Sequence, residues 1–127
     1  MSIDKAQKAI QEIQDCLSPD LLKPQYRQKN TLISLYGHCY VAAESLYHMI
    51  GGSNSGFFPC RGRDAEGIVH WWLENNEGYI LDPTEGQYTK SGKCPPYANG
   101  TRGGFLTKDP SKRSAILMER IQERKRA

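Results

Sequence analysis

The chain has 127 residues, 38% hydrophobic and 24% charged, with a net charge of +3. That length suits one domain, residues 1–127, around a single core, and the composition excludes a disordered chain. No apolar run approaches a membrane span and the start lacks the basic-then-apolar pattern of a secretion signal, so the expected location is the cytoplasm with no membrane contact.

In chain order, Ile3, Ala6, Ile10, Ile13 and Leu17 step by three and four, which predicts an opening amphipathic helix capped by Ser2. Ser18-Pro19 ends it and starts a second short helix that Pro24 closes; Lys23 to Asn30 is a polar, basic connection. Cys39, Ala42, Ala43, Leu46 and Ile50 then mark one face of a buried helix, preceded by Gly37 and stopped by Gly51-Gly52. Cys39 falls in its first turn, where unpaired N–H groups and the helix dipole favour a thiolate. A small buried core cysteine is the plain alternative.

Phe57 to Cys60 is expected as a short strand, with Pro59 better suited to a sheet edge. After a polar loop from Arg61 to Gly67, Ile68 to Glu74 reads as a central strand covered on both faces. Asn75-Asn76-Glu77-Gly78 is turn chemistry, and Tyr79-Ile80-Leu81 returns as the hairpin partner. If Glu74 and Gly78 close that turn, His70 falls directly across from Asp82, with Cβ atoms about 5 Å apart; a slip of two residues keeps them on one face as a diagonal pair. A carboxylate beside an imidazole holds one tautomer and stabilises the protonated ring. The expectation is that the Cys39 helix packs its start against this face.

Residues 82–104 are rich in Gly, Pro, Tyr and Lys and show no period, which predicts a long ordered loop, with a short strand at Phe105-Leu106. Leaving directly from Asp82-Pro83-Thr84, the loop is expected to border the cleft as a flap. Asp109-Pro110 opens a last helix over about 110–126, buried along Ser114, Leu117, Met118 and Ile121. From Lys108 onward the chain carries an excess of basic residues on an otherwise near-neutral body, so an anionic partner there is one reading and a solvated helix face the other. The cysteines at 16, 39, 60 and 94 include no C-x-x-C pair and are expected to be free thiols. A zinc set of Cys39, Cys60, His70 and Cys94 matches no usual ligand spacing, so neither metal nor cofactor is expected.

Gly37-His38-Cys39-Tyr40-Val41 resembles the G-Q-C-W-V nucleophile motif of transglutaminase-like proteins. His70-Trp71-Trp72-Leu73-Glu74 resembles their H-x-W-x-E strand, and Gly78-Tyr79-Ile80-Leu81-Asp82-Pro83-Thr84 their G-W-x-x-L-D-P-T. The three motifs stand in the family's order over about residues 36–84. The resemblance implies an α+β, papain-like fold, with a nucleophile helix on a small antiparallel sheet and flanking N- and C-terminal helices. It also implies a Cys39–His70–Asp82 triad for acyl transfer on a peptide, protein or small amide: a hydrolase, deamidase or acyltransferase. His38 stands where the family has Gln, and Tyr36, Gln28 or Tyr26 are the candidates for a second oxyanion donor. Trp72, His38, Tyr36, Tyr97 and Arg102 are the expected substrate-contacting residues. A looser resemblance to small phage proteins implies no activity. The alternative is a non-catalytic binding module on the same fold, contacting nucleic acid or an acidic protein through the basic C-terminal helix and the Tyr97, Arg102 and Phe105 loop.

Overall fold

The computed structural model describes residues 3–18, 38–90, 92–105 and 108–126. The expected Ser2 cap, the short helix after Ser18, the Lys23 to Asn30 connection, Gly37 and Leu106 lie outside the described residues, as do Tyr26, Gln28 and Tyr36. Helix α1 (Ile3–Cys16) buries Ala6, Ala9 and Ile13, while Ile3 stays 41% exposed and Ile10 is half-buried. Helix α2 (Cys39–Met49) buries every residue from Val41 to Leu46. It packs against the sheet and also against α1 and the C-terminal helix. A helix covered on several sides suits small residues, and Ala42, Ala43 and Ser45 supply them.

Strands β1 (Phe57–Arg63), β2 (Val69–Asn75), β3 (Ile80–Leu81) and β4 (Thr101–Arg102) form an antiparallel sheet in the order β3-β2-β1-β4. β1 runs to Arg63, longer than its apolar stretch predicts, and pairs with all of β2. Its turn is organised by Asp64, whose Oδ1 accepts the backbone N–H groups of Glu66 and Ile68. Pro59 sits inside the sheet instead of at its edge. Its carbonyl accepts the N–H of Gly103, and a strand residue points its carbonyl and nitrogen to the same side, so the missing N–H faces β4, whose ladder is only two residues long. The fourth strand is at Thr101–Arg102, and Phe105, expected to open a strand, is not in one.

The hairpin register differs from the expected one by two residues. Glu74 pairs with Ile80 and Leu73 with Leu81. Gly78, with φ of 81°, is inside the turn, and Asn75 closes it by accepting the N–H groups of Glu77 and Tyr79 on its side-chain oxygen. A left-handed residue suits a three-residue hairpin loop, not the closing pair.

The segment after β3, expected as a long ordered loop without helix, carries a short helix, α3 (Gly86–Thr89), and a 3₁₀ turn (Tyr97–Asn99). Helix α4 (Lys112–Arg126) begins two residues later than Asp109-Pro110 suggests: Ser111 is its cap, with Oγ accepting the Ser114 N–H. Glu44, fully buried on α2, accepts both the backbone N–H and the hydroxyl of Ser111, at 3.1 and 2.6 Å. A carboxylate thus meets the positive end of α4. None of the described helices is long and apolar enough to cross a membrane.

Candidate functional site

Alternation along β2 puts Val69, Trp71 and Leu73 on one face and His70 and Trp72 on the other. α2 covers the first of these faces: Cys39 and Ala43 cluster with Trp71, and Val41, Ala42 and Leu46 share a core with Leu73 and Leu81. The expectation that α2 packs on the His70 face is therefore corrected. Cys39 meets His70 at the strand edge. The Ile68 carbonyl bonds to Asp64 on the β1 side, so the next carbonyl, that of Val69, points away from β1. β3 is too short to reach it, and the Cys39 thiol takes its place, bonding the Val69 oxygen at 3.6 Å. From there the sulfur is near enough to favour the charged form of the His70 ring, without a hydrogen bond to it.

His70 is fully buried, and its Nε2 donates to Asp82 Oδ2 at 2.6 Å. The slipped register makes this the diagonal pair. Asp82 leaves no oxygen idle: Oδ2 also accepts the Tyr97 hydroxyl at 2.7 Å, and Oδ1 accepts the N–H and hydroxyl of Thr84. The His70 ring stacks on Trp72, with 5.8 Å between centroids, and meets the edge of Tyr88 at 4.9 Å. Tyr88 is held in turn by Asp64. With Nε2 committed to Asp82, Nδ1 is buried and makes no hydrogen bond among the described residues.

Burial is the largest single influence on His70 and opposes its charge, but the hydrogen bond to Asp82, the Cys39 sulfur and the Asp82 charge together outweigh it, raising the imidazole to about 9. Burial, with the Asp82 charge and hydrogen bond added, pushes the Tyr97 phenol upward, and burial with Asp64 does the same for Tyr88. Both tyrosines therefore stay protonated donors at neutral pH.

The other expected site residues divide. Trp72 is fully buried, its ring against the backbones of Gly62 and Gly100, so it offers no surface to a substrate and instead walls off the ion pair. His38 is fully buried too. Its Nε2 donates to the Ser18 carbonyl at 2.8 Å, which ties the start of α2 to the end of α1. Arg102 is exposed, its guanidinium over the Phe58 ring, remote in the sheet from His70. The loop expected as a flap lies over the His70 face, held by Tyr88, Tyr97 and Gly100 as a packed cover. Tyr88 and Thr84 are the site residues that sequence reasoning did not single out for a role; Thr84 stood in the Asp-Pro-Thr motif, while Tyr88 carried no signal.

All four cysteines are free, and the described residues contain no group of three His, Cys, Asp or Glu side chains able to hold a metal. The suggested zinc set is not assembled. Searches with the whole chain found no matching family model, no matching curated protein and no matching solved structure.

Proposed function

We propose that the chain is a cysteine-dependent acyl-transfer enzyme with a Cys39–His70–Asp82 triad, on a fold of the papain-like, transglutaminase-like type. The observation that carries the reading is the buried His70–Asp82 pair, whose second ring nitrogen has no hydrogen-bond partner among the described residues, with the Cys39 sulfur on the carbonyl of the preceding residue, Val69. With Nε2 as donor to Asp82, Nδ1 takes the thiol proton, and a ring raised to about 9 holds it at neutral pH, so the working pair is an imidazolium beside a thiolate. The Cys39 sulfur attacks the carbonyl carbon of an amide or ester. Its backbone N–H, in the first turn of α2 and without an intrahelical partner, faces the developing oxyanion. His70 returns the proton to the leaving amine or alcohol, and water or an acceptor amine releases the acyl group from sulfur. Tyr97 and Thr84 keep Asp82 aimed at the ring. Free thiols suit a reducing compartment, and the reading is of a cytoplasmic enzyme acting on a peptide, protein or small amide.

The test is the rate of iodoacetamide alkylation at each cysteine, resolved by peptide mass spectrometry, between pH 5 and 9. Cys94, which is exposed, serves as the ordinary thiol, and Cys60, raised by burial and by Glu74 to about 11, as the inert one. Cys39 should react faster than Cys94 at pH 6 despite its 7% exposure, and His70→Ala should abolish the advantage. A Cys39 rate below that of Cys94 and indifferent to His70→Ala rejects the enzyme reading.

The binding-module alternative has less support. Lys125 pairs with Glu12, Arg124 bonds Asp15, and Arg120 reaches Ser18, so much of the basic charge on α4 docks against α1.

A further inference from the structure

At the opposite end of α2 from Cys39, where β1 begins and β2 ends, lies a cavity of about 600 Å³. None of the triad residues lines it. Its walls bring together the rings of Tyr47, Phe58 and Phe105 with the nitrogens of His48, Arg102 and Lys108. No carboxylate contributes to the lining, and neither Arg102 nor Lys108 forms an ion pair among the described residues. Glu74, across the ladder from Phe58, does not line it.

We infer that this cavity is a binding site for a small aromatic anion, a flat ring system carrying a phosphate or carboxylate. The guanidinium carbon of Arg102 sits over the Phe58 ring, 4.2 Å from its centroid, and its N–H groups are left to a ligand oxygen. Lys108 adds a second positive charge at the same rim. Phe105 and Tyr47 meet edge to face at 5.5 Å, so they form a fixed aromatic wall for a planar body. His48 lines the cavity, with its Nε2 covered by protein and without a hydrogen-bond partner among the described residues. The end of α2 directs its carbonyls toward this region and disfavours negative charge close by. The anionic group therefore belongs at Arg102 and Lys108, and the ring belongs toward Tyr47. Gly103 and Gly104 line the cavity as well and add no side chain to fill it. The inference is independent of the triad.

The probe is 1-naphthyl phosphate, titrated into the ¹⁵N-labelled full chain and followed by two-dimensional NMR, with 1-naphthol and inorganic phosphate as its separate halves. Saturable shifts are expected at Gly56, Phe58, Gly103 and Gly104, with affinity at least tenfold above either half. Arg102→Gln should weaken binding about tenfold, and Cys39→Ser should leave it unchanged. The inference is overturned if the whole probe binds no more tightly than its halves, if the shifts fall only along α4, or if Arg102→Gln binds as the parent does.

Discussion

Replacing Asp82 with asparagine keeps the size of the side chain and removes the charge facing His70. In the intact protein burial works against a charged ring, and the Asp82 hydrogen bond leads the interactions that overcome it, raising His70 from 6.5 to about 9. Without the carboxylate only the Cys39 sulfur still opposes burial, and the imidazole midpoint should fall from about 9 back toward 6.5. At 1.36 kcal/mol per pH unit, a full return is worth roughly 3 kcal/mol, which sets the upper bound. The sign follows from linkage: a group raised on folding contributes its full stability below its unfolded value near 6.5 and loses it as pH rises through about 9. Wild type should therefore lose up to roughly 3 kcal/mol more than Asp82→Asn between pH 6.5 and 9, read from urea midpoints. The His70 Hε1 resonance, assigned by its loss in His70→Gln, gives the two midpoints directly by NMR. Equal midpoints in the two proteins, or a wild-type midpoint near 6.5, would refute the argument.

Three other outcomes are expected. Gly100→Ala would set a Cβ 2.3 Å from the Trp72 ring and should cost about 1–3 kcal/mol in urea, whereas Gly104→Ala, whose Cβ meets nothing within 4 Å, should cost far less. Glu44→Gln leaves an acceptor for Ser111 but removes the charge at the start of α4, and should lower stability by about 1–2 kcal/mol in thermal melts followed by circular dichroism. Lys125→Gln, which removes an exposed partner of Glu12, should change stability by less than about 1 kcal/mol. If α4 has an anionic partner, heparin affinity should fall steeply with salt and fall further in this variant; salt-independent binding, or none, removes that partner.

Strand β2, its partner β3, the turn between them and the His70–Asp82 face are legible because period-two alternation and turn residues are local signals; the end of β1 and the place of β4 carry no such signal. The register was read two residues off because Gly78 was placed in the closing pair; a glycine with positive φ after Asn75 belongs inside the loop, and the Asn75 side chain closes it. The packing side of α2 was not legible. Its inward stripe says that a sheet lies beneath, but not which face, and only the shortness of β3 brings the thiol to the ring from the other side. Glu44 carries no signal of its own within the α2 stripe, because its role depends on Ser111, far along the chain. Tyr88 reaches His70 through a short helix that no periodicity announces.

The open stretch of edge beside Val69 separates two events in the folding of this chain. His70 and Asp82 lie twelve residues apart, within one hairpin, and such contacts form on a scale of about 1–10 μs. Cys39 joins them only when α2 settles on the far side of the sheet, a contact that closes a thirty-residue loop to Val69. A chain with its hairpin formed and its helix still undocked would hold the ion pair and leave the thiol outside. The chemical reactivity of Cys39 would then register helix docking, while the His70 titration would register the hairpin.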